Sequence, residues 1–130
     1  MMDSVFTKII KGELPAHKIY EDERCIVILD IAPVQPGHCL VIPKEQVEFI
    51  WDVDNELYHY LWDIAKKVAL HLRTVMQSQR VSVIIDGEAV PHAHIQLIPT
   101  TGAHDIDAPR PTGEPDHTAL AAVAQKLQLL

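Results

Sequence analysis

Hydrophobic and polar positions along the chain alternate with two periods, one typical of helices and one typical of strands. The longest regular stretch begins after Asp54 and extends to about Gln79, with apolar residues at i, i+4 and i+7 spacings. This spacing places them on one face of an α-helix. The residues on that face are Leu57, Leu61, Ile64, Ala65, Val68, Leu72 and Val75. The pattern predicts one long amphipathic helix that is capped by Asp54.

Shorter apolar segments predict five β-strands and two further helices. The strands are expected at residues 17–21, 25–30, 39–42, 80–85 and 91–99. Helical periodicity is present at residues 4–11 and after Asp116, and residues 44–51 predict one or two helical turns. Residues 101–115 are rich in proline and charge, so we expect a loop there.

Strands that are mostly joined by hairpins, with helices separate from them, predict an α+β fold. We expect a five-stranded antiparallel sheet with a long central helix and short terminal helices. A chain of 130 residues can bury one core but not two ordinary ones. We therefore predict a single domain over residues 1–130, with its core at about residues 4–100 and a loop and C-terminal helix at residues 101–130.

The composition narrows the range of possible partners. Eleven Lys and Arg against eighteen Asp and Glu give a formal net charge of −7, which argues against binding to nucleic acid or to an anionic membrane. No segment approaches the ~20 apolar residues of a membrane span, and the N-terminus lacks the apolar region of a signal peptide. We therefore expect a cytoplasmic protein. Cys25 and Cys39 stand alone among apolar neighbours and are expected to be buried free thiols.

The segment from Pro91 to Pro99 carries the most informative chemistry in the chain. In an extended strand alternate side chains share a face, so His92, His94 and Gln96 are expected to project together. Neighbouring members of this row would lie roughly 6–7 Å apart. Two imidazoles at that spacing can act on one phosphoryl group or chelate one metal ion.

Three separated motifs resemble those of the histidine triad (HIT) superfamily. They are Phe6-x-Lys8-Ile9-Ile10-x-Gly12-Glu13-x-Pro15, Asp30-Ile31-Ala32-Pro33-x-x-Pro36-Gly37-His38-x-Leu40-Val41-Ile42-Pro43-Lys44 and His92-x-His94-x-Gln96. The resemblance covers roughly residues 4–100. It implies a nucleotide-binding enzyme, a phosphoanhydride hydrolase or a nucleotidyltransferase, that acts at the α-phosphate. His94 would be the nucleophile and would form a nucleotidyl-histidine intermediate.

The resemblance also implies roles for residues around His94. His92 would either orient His94 or contact the ligand, and His38 would either support the site or have a plain structural role. Asp30 would bind the ribose hydroxyls, the alternative being a turn aspartate that bonds its own backbone. Gly87 would lie close to phosphate. The base pocket, with a purine nucleotide expected, would be formed by Phe6, Ile9, Ile28, Ile31 and Leu40, although these residue types suit a core at least as well.

Two further expectations concern assembly and cofactors. Relatives form homodimers, and Tyr58 and Trp62 add apolar surface beside the helical stripe beyond what one small sheet covers. We therefore expect a homodimer. Many relatives carry a zinc-binding Cys-x-x-Cys pair where this chain has Ser4 and Thr7, so neither a metal nor another cofactor is expected.

Gln96 stands where hydrolases of the family usually have a third histidine, a substitution that resembles the nucleotidyltransferase and phosphorylase branches. An amide can donate a hydrogen bond to a phosphate oxygen but cannot supply a proton at pH 7, so the sequence favours substrates with good leaving groups. The main alternative is a nucleotide-binding module with little or no turnover. A second alternative is a metal site formed by His92 and His94 together with His38 or His104.

Overall fold

The computed structural model describes residues 2–102 and 104–129 and contains α-helices, β-strands and two 3-10 turns. The helices are α1 (Val5–Ile10), α2 (Asn55–Val75) and α3 (His117–Lys126). The strands are β1 (Lys18–Glu21), β2 (Cys25–Leu29), β3 (Cys39–Pro43), β4 (Arg80–Ile84) and β5 (Ile95–Thr100). The 3-10 turns are Ile50–Asp52 and Asp105–Asp107.

The five strands form one antiparallel sheet in the order β1-β2-β3-β5-β4. Val27 of β2 is paired with Val41 of β3, and Gln96 of β5 lies between Leu40 of β3 and Ile84 of β4. The strand that carries the last part of the histidine motif is therefore an inner strand. The expected antiparallel sheet with one long helix and shorter terminal helices is confirmed.

Side chains of β2 and β3 alternate between two apolar layers, because neighbouring residues of a strand face opposite sides of a sheet. Val27 and Val41 pack with the apolar stripe of α2 in the larger layer. Ile28 and Leu40 pack with Phe6 of α1 in the smaller layer. Both strands are buried along their whole length for this reason. Because α1 has only six residues, it leaves part of its side of the sheet open.

The long helix α2 buries the predicted stripe but ends earlier than expected. Asp54 caps it by accepting a hydrogen bond from the N–H of Leu57 (3.1 Å). The helix ends at Val75 instead of about Gln79, and Gln77 adopts a left-handed φ of 53°, which an α-helix does not accommodate. None of the helices in the described part of the chain is long and apolar enough to cross a membrane.

Two other segments differ from the sequence-based expectations. Residues 44–51 contain only the start of a single 3-10 turn rather than one or two α-helical turns. β5 begins at Ile95 rather than at residue 91. Before it, the N–H of Ala93 donates to the carbonyl oxygen of Val47 (2.7 Å), so this part of the backbone is bonded outside the sheet.

Cys25 and Cys39 are buried free thiols, as expected from their apolar neighbours. Burial raises the pKa of each thiol to about 12. Neither thiol is therefore a reactive thiolate near neutral pH.

Candidate active site

A cavity of about 610 Å³ lies on the side of the sheet that α1 leaves partly open. Its lining comes from α1, from the inner strands β2, β3 and β5, and from the C-terminal segment. The expected site residues on its wall are Phe6, Ile9, Ile28, Asp30, Ile31, Leu40, His94 and Gln96. A second cavity of about 340 Å³ lies against α3 and contains neither His94 nor Gln96. The larger cavity thus combines apolar surface with an imidazole, an amide and a carboxylate.

His94 has one ring nitrogen bonded to the backbone and one without a hydrogen-bond partner among the described residues. Its Nδ1 lies 2.8 Å from the carbonyl oxygen of His92, and because a carbonyl oxygen only accepts, Nδ1 carries the hydrogen. Nε2 of the neutral ring then holds a lone pair. The ring of Phe6 meets the imidazole edge to face, with centroids 5.0 Å apart. In this form the imidazole can act as a nucleophile near neutral pH.

His92 is completely buried and does not line the cavity. Its Nε2 donates to the carbonyl oxygen of Pro43 (2.7 Å), so Nδ1 is the acceptor and receives the hydroxyl hydrogen of Ser4 (2.7 Å). Burial lowers the pKa of His92, opposed in part by the bond to Pro43, which favours a neutral ring at pH 7. Of the two roles left open by the sequence, this geometry favours orienting His94 over contacting the ligand.

Ser4 connects His92 to α1. As the N-cap of the helix, its Oγ accepts the N–H of Thr7 (3.0 Å). The backbone N–H of Ser4 and the hydroxyl of Thr7 both donate to Oε1 of Gln46, at 2.9 and 2.6 Å. Hydroxyls and an amide that are already bonded to one another do not fit a zinc ion, which prefers thiolates and imidazoles. Within residues 2–102 and 104–129, no group of three or more His, Cys, Asp or Glu could hold a metal ion.

The amide of Gln96 is oriented by two donors that meet its oxygen. His38 is completely buried, and its Nδ1 accepts the N–H of Val34 (3.1 Å), so its Nε2 carries the hydrogen and donates to Oε1 of Gln96 (3.0 Å). Burial lowers the pKa of His38, while the charge of Asp30 opposes this. Nη2 of Arg110 donates to the same amide oxygen (3.2 Å). The amide nitrogen of Gln96 is therefore left to donate to a ligand.

Asp30 bonds to the backbone of its own turn, which was the alternative to its binding ribose, and it also lies on the cavity wall. Its Oδ1 accepts the N–H of Ala32 (2.9 Å), and its Oδ2 accepts a hydrogen bond from Nη1 of Arg110 (2.9 Å). A carboxylate has about four lone-pair sites, so further acceptor capacity remains. The two interpretations are compatible in this geometry.

Arg110 is a polar residue of the site that the sequence analysis missed. It belongs to residues 101–115, for which only a loop was expected, and it lines the same cavity as His94. Besides its two side-chain partners, its Nη1 donates to the carbonyl oxygen of Ala32 (3.0 Å). A single arginine in an irregular segment has no periodicity and no motif. Only the flanking Pro109 and Pro111, which restrict the backbone, distinguish it in the sequence.

The other expected residues do not line the cavity. Gly87 has a φ of 72°, a left-handed conformation that favours glycine. Its neighbours Asp86 and Ala89 line the cavity instead. The side chain of His104 is 89% exposed, and within the described parts of the chain it completes no metal site with the other histidines. His117, the first residue of α3, lies on the wall without having been expected there.

Comparisons with known proteins place the chain in one family. The HIT domain model matches residues 11–103, which is more than half of the chain. An uncharacterized HIT-like protein of Borreliella burgdorferi is 36% identical over 106 residues, covering 76% of each chain. The chain belongs to the HIT (histidine triad) family.

Two solved structures share its fold. A hypothetical histidine triad nucleotide-binding protein from Sulfolobus tokodaii matches with a TM-score of 0.81 at 26% identity, covering 94% of this chain and 87% of that one. A HIT family hydrolase from Clostridium thermocellum matches with a TM-score of 0.67 at 33% identity, covering 79% of this chain and 95% of that one. Arg110 lies C-terminal to the residues that the family model matches.

Proposed function

We propose that the protein is a nucleotide-binding enzyme that acts at the α-phosphate of its substrate through a nucleotidyl-histidine intermediate on His94. One observation carries this proposal. Nδ1 of His94 is fixed by the carbonyl oxygen of His92, and His94 lines the cavity with Gln96. Its other ring nitrogen has no hydrogen-bond partner within residues 2–102 and 104–129. The two structural relatives are described as a nucleotide-binding protein and as a hydrolase, which supports the proposal at the level of the family.

The reaction has two displacement steps at phosphorus. In the first, the lone pair on Nε2 of His94 forms a bond to the α-phosphorus, and the bond to the leaving oxygen breaks with its electron pair. The Nδ1–H bond to the His92 carbonyl stabilises the positive charge that develops on the ring. In the second, an acceptor oxygen attacks the α-phosphorus, its proton passes to solvent, and the electron pair of the N–P bond returns to Nε2. Water as the acceptor gives hydrolysis, whereas a phosphate acceptor gives nucleotidyl transfer.

The nucleoside is proposed to occupy the apolar part of the cavity. Phe6, Ile28 and Leu40 are buried together on the α1 side of the sheet, and with Ile9 and Ile31 they line the cavity. A planar apolar ring suits such a surface, and a purine offers more area than a pyrimidine. Asp30 on the same wall would accept hydrogen bonds from the ribose hydroxyls.

Gln96 is proposed to select the leaving group. Its amide nitrogen can donate to a non-bridging oxygen of the phosphoryl group and stabilise the transition state. It cannot protonate a leaving oxygen or nitrogen, and general acid catalysis is typically worth about 10²–10⁴-fold. Phosphates leave readily as anions without that proton. The site is therefore suited to phosphoanhydride cleavage or to nucleotidyl transfer between phosphates.

A labelling experiment tests the proposed function. We expect an adenine nucleotide labelled at its α-phosphate to transfer the label to the protein as an acid-labile phosphoramidate that turns over. His94→Ala should lose both label and turnover while keeping the circular dichroism of the wild type, and His59→Ala, at an exposed position on α2, should keep both. Label on the His94→Ala protein would reject the assigned nucleophile. Nucleotide binding without label or turnover in the wild type would favour a binding module.

We also propose that the enzyme is a homodimer. β4 is the last strand in the sheet order, so its outer edge has no strand partner in the described chain, and Val83 on it is 45% exposed. On α2, the apolar side chain of Leu70 is 50% exposed. A second copy that packs against β4 and α2 would cover the free edge.

A further inference from the structure

Arg110 brings a guanidinium group into the cavity from outside the part of the chain that the family model matches. Its Nη1 donates to Asp30 and to the carbonyl oxygen of Ala32, at 2.9 and 3.0 Å, and its Nη2 donates to Gln96 at 3.2 Å. A guanidinium has more N–H groups than these bonds use, and 43% of the side chain remains exposed. Donors are therefore left for a ligand.

The charges on the cavity wall leave Arg110, although it is ion-paired with Asp30, as the fixed cation that an anionic substrate would meet. Among the described wall residues, Asp30 and Asp86 carry negative charge, and Arg110 is the one permanent cation. The chain as a whole has a formal net charge of −7, so no favourable general field attracts phosphate. A nucleotide with two or more phosphates would depend on Arg110 for compensating charge.

The contact between Arg110 and Gln96 links this charge to the chemistry at phosphorus. The amide of Gln96 can stabilise the phosphoryl group but offers no proton to the leaving group. A leaving group that departs as an anion can be stabilised instead by a fixed cation next to the reacting phosphate. Three hydrogen bonds to neighbouring protein groups hold Arg110 against Gln96, on the wall of the cavity that His94 also lines.

We propose that Arg110 is a specificity-determining residue that binds the phosphate attached to the α-phosphate and thereby selects nucleotides whose leaving group is itself a phosphate. This inference rests on the proposed function of His94. As Nε2 of His94 bonds to the α-phosphorus, the bond from phosphorus to the bridging oxygen breaks, and its electron pair stays on the leaving phosphate. Arg110 stabilises that oxyanion, and no proton is transferred to it in the step.

A comparison of two leaving groups tests the proposal. ADP loses phosphate, whereas the p-nitrophenyl ester of AMP loses a phenolate that needs neither a proton nor a phosphate contact. We expect Arg110→Met to lower kcat/KM for ADP by about 10²-fold and for the aryl ester by less than about 5-fold. Arg110→Lys, which keeps the charge, should recover part of the ADP activity. Arg73→Met, at an exposed position on α2, is the matched control and should leave both activities unchanged.

Equal losses on the two substrates would overturn the proposal, because Arg110 would then only hold Asp30 and Gln96 in place. Unchanged activity on both would overturn it as well. A binding measurement decides the matter independently of turnover. The wild type should prefer α,β-methylene-ADP, which cannot be cleaved at the bridge, over AMP, and Arg110→Met should lose that preference. If the wild type forms no adduct with any nucleotide, the proposed function fails, while this preference still shows whether Arg110 binds the second phosphate.

Discussion

The hydroxyl oxygen of Ser4 lies 2.7 Å from Nδ1 of His92, a residue 88 positions further along the chain. Both side chains are buried. The carbonyl oxygen of Pro43 fixes the tautomer of His92, and the Ser4 hydroxyl satisfies its Nδ1. The carbonyl oxygen of His92 in turn fixes Nδ1 of His94. The cap of the first helix is therefore connected by two hydrogen bonds to the proposed nucleophile.

The first prediction follows from this double use of Ser4. Ser4→Ala removes an N-cap, at about 1 kcal/mol, and leaves Nδ1 of the buried His92 unpaired, at about 1–3 kcal/mol. We expect urea unfolding to show a loss of about 2–4 kcal/mol in the free energy of unfolding. Asp116→Ala is the matched control, because Asp116 caps α3 by accepting the N–H of Ala119 (3.0 Å) and should cost only about 1 kcal/mol. Equal losses would show that the bond to His92 adds nothing to stability.

The parts of the fold that the sequence predicted are those with local periodicity. The stripe on α2 and the buried apolar runs at β2 and β3 follow from burial on one or both faces. The sequence did not predict correctly where α2 ends, near Gln77, or where β5 begins, at Ile95. β5 starts late because the preceding backbone is bonded to Val47, and such a long-range contact leaves no periodic mark in the sequence.

In the site, too, the residues in sequence motifs were predicted, and those placed by long-range contacts were not. His94, Gln96 and Asp30 stand in motifs, so the resemblance located them, and the structure places all three on one cavity wall. Whether His92 contacts ligand depends on its burial behind α1, which the motif does not specify. Arg110 is held at the site by contacts with Asp30 and Ala32, which lie 80 and 78 positions away along the chain. Nothing in its local sequence predicts those contacts.

The second prediction concerns the ribose contact of Asp30. Losing a hydrogen bond to a charged group costs about 1.5–3 kcal/mol, so we expect the wild type to prefer AMP over 2′,3′-dideoxy-AMP by about 10- to 100-fold. Asp30→Ala should lose this preference, measured by calorimetry. Asp30→Ala also removes a hydrogen-bond partner of Arg110. Any resulting change at Arg110 affects AMP and 2′,3′-dideoxy-AMP alike, so it cancels in the ratio of the two affinities. Asp86→Ala, the other carboxylate on the wall, should keep the preference. An unchanged ratio in Asp30→Ala would assign Asp30 to the turn alone.

The third prediction concerns acid stability. Burial alone would raise the pKa of Asp22, but hydrogen bonds from the hydroxyls of Tyr60 and Tyr20 and from the N–H groups of Arg24 and Cys25 outweigh it and lower the pKa to about 2. The folded state therefore binds fewer protons than the unfolded state, and the contribution of Asp22 is present above about pH 5 and lost as the pH falls towards 2.

Urea unfolding at several pH values checks this. The difference in unfolding free energy between the wild type and Asp22→Asn should shrink on acidification by on the order of 1–2 kcal/mol, after allowing for solvent screening. Asp63→Asn, at an exposed carboxylate on α2, is the control substitution measured beside it. A constant difference for Asp22→Asn would contradict the assigned pKa.

The fourth prediction concerns assembly. Light scattering at micromolar concentration should give twice the mass of the chain. Val83→Lys places a charge on the free edge of β4, where lysine disfavours strand pairing, and it should shift the mass towards the monomer. Met2→Lys changes a residue that is 88% exposed at the other end of the chain and should leave the dimer intact. A monomeric wild type would reject the homodimer.

The last prediction concerns the leaving group and position 96. The leaving amine of adenosine 5′-phosphoramidate needs protonation, and the amide of Gln96 cannot transfer a proton to it. If this restricts the enzyme, Gln96→His should speed hydrolysis of the phosphoramidate by about 10²-fold. ADP cleavage should change by less than about 10-fold, because phosphate leaves without a proton. Product analysis by chromatography measures both rates.

Combining the substitution with the proposed nucleophile separates this effect from a new mechanism. Gln96 and His94 line one cavity and would act in one reaction, so their effects should not be additive. His94→Ala should therefore erase the whole gain of Gln96→His on the phosphoramidate. A gain that survives in the double variant would mean that the new histidine itself attacks phosphorus. Equal acceleration of both substrates would leave His94 as the nucleophile but remove the proton argument, since a general acid has little to offer a phosphate that already departs as an anion.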